Sequence, residues 1–172
     1  IQHEAGGHGF GKLGDEYIYH NAFIQACNCT CCPHAYELMS AQSKGWFQNL
    51  SLTGKMSDVP WRNFIFHEKY SGFVDIFEGG YMHSRGVFRS EQNSCMNNEI
   101  PYYSTISRYE IVKRIMEYAG EPFSFDKFVE NDIVEVVAET AATKDGNTGM
   151  DSRSASMNSH EPVFMGERKT LR

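Results

Sequence analysis

The sequence predicts one α+β domain over residues 1–140, followed by a polar segment over residues 141–172. Three observations lead to this prediction. Hydrophobic residues make up 41% of the 172-residue chain, which is enough to build one sizeable core. Helical and irregular patterns outnumber clear strand patterns in the first part of the chain. From about residue 141 to residue 159 small and polar side chains predominate, which is typical of a linker or tail.

The first half of the chain contains one predicted helix and two less regular segments. Apolar residues recur at mixed helical spacing over residues 33–47, and Gly45 interrupts the pattern. A short apolar run follows at residues 61–66. Glycine and aromatic residues are frequent over residues 70–89, so we expect an irregular loop there.

The clearest predicted helix begins at Ser107, where Ser107 and Glu110 form a capping box, and it ends at Gly120 and Pro122. Its apolar side chains recur at helical spacing, and we expect this stripe to pack in the core: Ile111, Val112, Ile115 and Met116. A shorter helix is expected around residues 125–129. For residues 133–137 the sequence pattern is compatible both with a continuation of that helix and with a strand.

Two histidines and a glutamate open the chain in the sequence HEAGGH at residues 3–8. Neutral imidazoles bind Zn²⁺, and a free glutamate such as Glu4 takes the proton from metal-bound water. His3 and His8 are five residues apart, which separates them by about 140° on an ideal α-helix. We therefore expect a π-bulge at Gly6-Gly7, because one extra residue in the turn realigns the rings and glycine tolerates the unusual backbone.

The opening segment resembles the active-site segment of the bacterial IgA-peptidase family of zinc metallopeptidases. That family typically reads H-E-x-G-H-S-F-x-G-L-A-D-E-Y, and residues 3–17 here read HEAGGHGFGKLGDEY, with one residue inserted between the histidines. Residues 74–80, 86–89 and 93–96 also resemble the family, so the resemblance spans roughly residues 1–120. Ser94-Cys95-Met96 is similar to the methionine-containing turn that lies beneath the zinc in metzincin-type folds.

The resemblance implies a zincin- or metzincin-like catalytic domain with Zn²⁺ as its cofactor. His3 and His8 would be zinc ligands, and Glu4 would be the general base. Asp15 would be the third ligand, with Glu16 as its substitute, because a metzincin-like family usually has that ligand where this chain has a glycine. Met96 would form the methionine turn. The residues that could bind the substrate or stabilise the oxyanion are His83, Arg89, Tyr102 and Tyr103.

The implied function is a zinc-dependent endopeptidase that hydrolyses peptide bonds of protein substrates through metal-bound water and the glutamate base. Family resemblance points to immunoglobulin or a host glycoprotein as substrate. Domains of this type place a sheet ahead of the active-site helix. We therefore expect this chain to represent mainly the helical lower part, to lack the N-terminal sheet, and to be inactive if the missing wall is needed.

Two alternative functions are compatible with the same residues. A dipeptidyl-peptidase-like zinc exopeptidase would take its third ligand from a downstream helix, from Glu135 or Glu139. A non-catalytic module that binds carbohydrate or protein on a peptidase scaffold would use the metal structurally, although the intact Glu4 argues against that role.

Five cysteines bear on the location of the protein, and four of them crowd into a short stretch: Cys27, Cys29, Cys31 and Cys32. Disulfides within this loop would suit a secreted, periplasmic or cell-surface protein. The loop cysteines could also be free thiols or form a second metal site with His34. Cys95 could be a buried free thiol or a disulfide partner of the loop.

Charge and hydropathy exclude two classes of partner. The formal net charge of −6 and the pI near 5.6 argue against nucleic-acid binding, because no basic stripe is present. No apolar run approaches the roughly 20 residues that a transmembrane helix needs. No signal segment is recognisable in the chain, which begins within the histidine motif.

Overall fold

The computed structural model describes residues 1–24 and 33–134, and the chain divides into two units, Ile1–Ile133 and Val134–Arg172. The described elements form a mixed α+β fold, which confirms the general fold class. A π-helix, Gln2–Gly11, opens the chain. The α-helices are α1 (Pro33–Ser43), α2 (Arg62–Ile65), α3 (Cys95–Asn98), α4 (Thr105–Ala119) and α5 (Phe125–Asn131). The strands are β1 (Ile18–Phe23), β2 (Leu50–Ser51), β3 (Phe77–Gly80) and β4 (Met82–Arg89).

Some of the sequence-based predictions fall outside the described residues. These are the domain boundary at residue 140, the polar segment 141–172, most of the segment 133–137, and the side chains of Cys27, Cys29, Cys31, Cys32, Glu135 and Glu139. Among the helices that the structure describes, none is both long enough and apolar enough to cross a lipid bilayer.

Strand β4 is the centre of the sheet, because the other three strands pair with it. β1 runs parallel to β4, with His20 opposite His83, whereas β2 and β3 run antiparallel to β4. The sheet also holds the segment that follows the π-helix. The backbone N–H of Tyr81 donates to the carbonyl of Asp15 at 2.8 Å, so the position of Asp15 depends on the strand.

Two clusters of buried side chains support these elements. An aliphatic cluster is built from α1, β2, β4 and the end of β1: Ile24, Ala35, Leu38, Leu50, Tyr81 and Val87. An aromatic cluster surrounds Phe64 of α2, whose ring lies edge-on to three rings of α4 and α5, with ring centroids 4.9–6.0 Å apart: Tyr109, Phe125 and Phe128. The first cluster therefore holds the sheet against α1, and the second joins the three helices.

The prediction of an irregular loop over residues 70–89 holds for residues 70–76, but it is wrong beyond them, because residues 77–80 and 82–89 form strands β3 and β4. The glycines that indicated a loop lie within these strands. Gly79 and Gly86 have φ angles of 109° and 82°, which favour glycine. A Cβ on Gly86 would lie 2.8 Å from the ring of Phe23, so the missing side chain lets β1 approach β4 closely.

Helix α4 begins three residues earlier than the capping box at Ser107 predicted. Its N-cap is Ser104, whose side chain accepts a hydrogen bond from the N–H of Ser107 at 3.3 Å. Ser107 therefore lies in the first turn, and Glu110 is not the partner of a capping box. The helix ends at Gly120 as predicted, where a left-handed φ of 69° caps it.

The apolar stripe of α4 does not pack in the core as predicted. Ile111, Val112 and Met116 line an open cavity of about 580 Å³ together with side chains of α5. Ile115 is 48% exposed. The buried residues of this helix are instead near its beginning: Thr105, Ile106, Ser107 and Glu110. In the first turn the N–H of Thr105 donates to the buried Glu91 at 2.6 Å, and further along the helix Ile111 lies close to Gly11 of the π-helix.

Candidate metal centre

The opening π-helix places the two histidines of the motif on one side of the backbone. Hydrogen bonds in a π-helix join residues five apart, and His3 and His8 have that spacing. The helix ends at Lys12, which has a left-handed φ of 52° and whose N–H donates to the carbonyl of Gly7. The predicted alignment of the two rings by a wider turn is confirmed. The wide turn extends over residues 2–11 rather than over the two glycines alone.

Close packing explains why glycine occurs within this helix. A Cβ on Gly6 would lie 2.4 Å from the hydroxyl oxygen of Tyr103, and a Cβ on Gly7 would lie 2.4 Å from the sulfur of Met96. Real side chains cannot approach so closely. The absence of a Cβ therefore lets Tyr103 and Met96 pack directly against the backbone of the π-helix.

Three atoms of ligand type converge beside this helix. The Nε2 atoms of His3 and His8 are 3.1 Å apart, and each lies 3.0 Å from Oδ1 of Asp15. These three residues form a group that could hold a metal ion. Zn²⁺ bound tetrahedrally at about 2.0–2.1 Å from each nitrogen holds its ligands roughly 3.3 Å apart. The separations here are slightly shorter, so the donor set and its spacing are compatible with such an ion.

The other nitrogen of each imidazole is held by a backbone carbonyl. Nδ1 of His3 lies 2.8 Å from the carbonyl oxygen of Cys95, and Nδ1 of His8 lies 2.8 Å from that of Leu13. A carbonyl only accepts, so Nδ1 carries the hydrogen in both rings. In the neutral rings both Nε2 lone pairs then point at the same place. Two lone pairs at this distance repel each other unless a proton or a metal cation lies between them.

The carboxylate of Asp15 controls the charge of the group. Its hydrogen bond raises the pKa of His8, against the opposing effect of burial. Burial would raise the pKa of Asp15, but the hydrogen bond and the charge of His8 outweigh it, and the pKa is lowered. Asp15 is therefore ionised at neutral pH, which is the form that binds metals.

Tyr17 and Glu4 border the three ligand atoms. The ring of Tyr17 stacks on His3, with centroids 6.2 Å apart and planes 22° apart, and its hydroxyl bonds to Asp15. Burial and the nearby Asp15 raise the pKa of Tyr17, so its hydroxyl is a neutral donor. Glu4 is exposed, and its negative charge helps to raise the pKa of His8 and the pKa of Tyr17. Sequence reasoning assigned no role to Tyr17, although it directly follows the two acidic residues.

The turn around α3 supports the group from the other side. Met96, predicted as the residue of a methionine turn, is fully buried with its sulfur against Gly7. The carbonyl of Met96 accepts a hydrogen bond from the N–H of Glu16 at 2.7 Å. Cys95 holds His3 through its carbonyl, and within residues 1–24 and 33–134 its own buried side chain is a free thiol. This turn therefore positions both the histidine and the acidic segment.

Glu16, the predicted substitute ligand, does not reach the histidines. Its side chain is fully buried, where Oε1 accepts from Asn49 at 2.9 Å and Oε2 accepts from the hydroxyl of Ser94. Burial raises the pKa of Glu16 to about 7. The geometry brings Asp15 and not Glu16 to the two imidazoles, because Glu16 ties the loop at Asn49 to the turn before α3.

The four side chains predicted to bind substrate or oxyanion have other partners. Arg89 donates to the carbonyls of Glu78 and Gly79 within the sheet, and Tyr102 donates to Glu91 at 2.8 Å. Tyr103 alone contacts the π-helix, where its hydroxyl donates to the carbonyl of Gln2 at 2.6 Å.

His83, the fourth of these residues, pairs with another histidine. Its Nε2 lies 2.9 Å from Nδ1 of His34. Burial and the neighbouring rings of His34 and His20 lower the pKa of His83, so this imidazole is neutral at physiological pH. The contacts of His83 therefore lie with those two histidines rather than with His3, His8 or Asp15.

Comparison with known proteins gives no further guide to the site. No protein-family model matches the chain, and no curated protein has a significantly similar sequence. The function of the site is therefore inferred from its geometry and from the motif that carries it.

Proposed function

We propose that this chain contains the zinc-binding part of a metallopeptidase, with a zincin- or metzincin-like fold of the IgA-peptidase type. The observation that carries the proposal is the convergence of Nε2 of His3, Nε2 of His8 and Oδ1 of Asp15. Two imidazoles and one carboxylate form a ligand set of the kind that hydrolytic zinc sites use. The side chain of His8 is 30% exposed, so the group is open to solvent on one side. An open side favours a catalytic over a structural site, since structural zinc is enclosed by four protein ligands.

Different residues of the chain would have different roles in the reaction. His3, His8 and Asp15 would hold the ion. A bound Zn²⁺ would supply a Lewis acid that polarises the scissile carbonyl and acidifies water. Glu4 would accept the proton of the attacking water and pass it to the leaving amine, for which its exposed carboxylate near His8 is suited. The carbonyls of Cys95 and Leu13 would keep both imidazoles in the tautomer that binds metal.

The proposed substrate is a protein cleaved within its chain, with immunoglobulin or a host glycoprotein as the class that the family resemblance implies. A secreted, periplasmic or cell-surface location accords with such a substrate. The crowded cysteines at positions 27–32 accord with it as well, because disulfides persist in oxidising compartments.

Metal analysis tests the ligand set. Mass spectrometry of the purified protein should find zinc bound to the chain, and anomalous scattering at the zinc edge should place one ion between His3, His8 and Asp15. We expect Asp15→Ala to lose the metal and Glu16→Gln to keep it, because only Asp15 faces the imidazoles. Zinc that remains bound between His3 and His8 in Asp15→Ala would reject this ligand set and favour Glu135 or Glu139, as in the exopeptidase alternative.

Cleavage of casein or immunoglobulin tests the role of Glu4. We expect Glu4→Gln to retain zinc and to lose activity by a factor of about 10² or more, since it removes only the proton acceptor. Glu117→Gln, an exposed glutamate on α4, is the matched control and should leave cleavage unchanged. Cleavage that survives Glu4→Gln would reject the mechanism. A zinc-loaded protein that cleaves nothing would favour the binding-module alternative or the inactivity expected of a catalytic domain without its N-terminal sheet.

A further inference from the structure

Three histidines outside the candidate metal centre lie close together at the junction of the sheet and α1. His20 comes from β1, His34 from the first turn of α1, and His83 from β4. The ring centroids of His34 and His83 are 5.2 Å apart, and those of His20 and His83 are 5.9 Å apart. The pairing of His20 opposite His83 in the parallel strands creates this proximity. His20 and His34, from two other elements, therefore each lie near the ring of His83.

The spacing of His34 and His83 resembles that of the two histidines of the candidate metal centre. There the ring centroids of His3 and His8 are 4.9 Å apart and the facing nitrogens are 3.1 Å apart. For His34 and His83 the facing nitrogens, Nδ1 and Nε2, are 2.9 Å apart. Both pairs therefore present ring nitrogens at a distance that one ion could bridge.

A hydrogen bond between two imidazoles accounts for only part of this arrangement. One ring would donate to the other, and the remaining nitrogen of His83 would still need a partner. Nδ1 of His83 is buried and has no hydrogen-bond partner in the part of the chain that the structure describes. Burying this nitrogen without a partner is unfavourable, so another interaction of the ring has to offset the cost, and an ion bound at Nε2 would supply one.

We propose that His34, His83 and His20 form a second site for a divalent transition-metal ion of the Zn²⁺ or Co²⁺ type. Three imidazoles are an established ligand set for such ions. His34 and His83 would supply the fixed pair. His20 is exposed, so its side chain can rotate towards the pair without disturbing the core. The ion would link β1, α1 and β4, and would stabilise the sheet against the helix.

Cobalt binding to the whole chain tests the second site. The background is the double variant His3→Ala/His8→Ala, which removes the candidate metal centre, and its fold is checked by circular dichroism. We expect one Co²⁺ per chain by calorimetry, with the visible bands of nitrogen ligation and without a thiolate charge-transfer band. His34→Ala and His83→Ala in this background should weaken binding by about tenfold or more. His67→Ala is the matched control, since His67 lies away from both groups and should leave binding unchanged.

If His34→Ala or His83→Ala prevents folding, thermal unfolding of the background variant provides a second measurement of metal binding. Added Co²⁺ should raise the melting temperature of the background variant, because an ion that binds only the folded state stabilises it. His20→Ala changes an exposed side chain and should reduce this rise. No cobalt uptake, binding unaffected by His83→Ala and His20→Ala, or a thiolate band that shows ligation by cysteine would each overturn the proposal. The readout is metal binding, so the result is independent of peptidase activity.

Discussion

Asp15 and Glu16 are adjacent carboxylates whose neighbours give them opposite properties. Oδ1 of Asp15 lies 3.0 Å from Nε2 of both imidazoles, and the pKa of Asp15 is lowered because the interaction with His8 outweighs burial. Glu16 is enclosed between Asn49 and Ser94, where burial raises its pKa to about 7. One residue therefore presents a charged oxygen to the candidate metal centre, and the other holds two loops together.

A single methyl group on Gly7 is expected to disturb the contact between the π-helix and α3. In Gly7→Ala the new Cβ would lie 2.4 Å from the sulfur of the fully buried Met96, so that side chain must move. We expect a loss of about 1–3 kcal/mol in the free energy of unfolding, measured by urea denaturation. Gly72→Ala is the control, because nothing lies within 4 Å of its Cβ position. Equal stability of both variants would show that Met96 does not confine Gly7.

The π-helix is the element on which the candidate metal centre depends. Such helices are rare, and this one is supported by its neighbours: Met96 lies against Gly7, and Tyr103 donates to the carbonyl of Gln2. Its wide turn is what allows histidines five residues apart to face each other. The carbonyls of Leu13 and Cys95 then fix the two rings.

Changing the length of the π-helix by one residue tests its role. An alanine inserted between Ala5 and Gly6 would place the histidines six residues apart, and we expect zinc binding by His3 and His8 to be lost. Deleting Gly6 would place them four apart, about 40° around an α-helix, so binding should be retained. Calorimetric titration with Zn²⁺ distinguishes the two, and an alanine inserted after Gly72 is the control. Equal zinc affinity in the insertion variant would contradict the importance of the wide turn.

At the scale of the whole molecule, buried carboxyl groups join segments that are distant in sequence. Glu16 links residues 49 and 94, and Glu91 accepts hydrogen bonds from the N–H of Thr105 and the hydroxyl of Tyr102. Burial raises the pKa of Glu91 above its ordinary value of 4.5. Ionisation of such groups opposes folding, so the stability of the molecule depends on pH.

Glu91→Gln should remove part of that pH dependence. The folded pKa of Glu91 lies above the unfolded value of 4.5, so its contribution to stability is complete below pH 4.5 and is lost as the pH rises through the folded pKa. Glutamine can keep both hydrogen bonds without ionising. We expect the variant to gain stability relative to the wild type as the pH rises, by about 1.4 kcal/mol for each unit by which the pKa is raised.

Urea denaturation between pH 4 and pH 8, in the presence of a metal chelator, measures this difference. Glu117→Gln is the control, because Glu117 is an exposed residue of α4 and its side chain is not buried on folding. A constant difference between Glu91→Gln and the wild type over the whole range would contradict the assigned direction of the pKa shift.

The sequence by itself determined the features that depend on local spacing. Two histidines five residues apart with glycines between them predicted the wide turn, because backbone hydrogen bonds join near neighbours. Gly120 predicted the end of α4 for the same reason, since a left-handed residue stops a helix locally. The α+β class followed from composition and pattern in the same way.

Only the tertiary structure decided which of these residues meet. The choice between Asp15 and Glu16 depends on contacts of Glu16 with Asn49 and Ser94, which are far away in sequence. The strands in the glycine-rich segment 77–89 depend on the pairing of β3 with β4. The true N-cap Ser104 and the exposed stripe of α4 also depend on what packs against that helix. Local spacing determines the backbone conformation of a segment. Which side chains meet depends on contacts between segments that are distant in sequence, and a local sequence pattern does not encode those contacts.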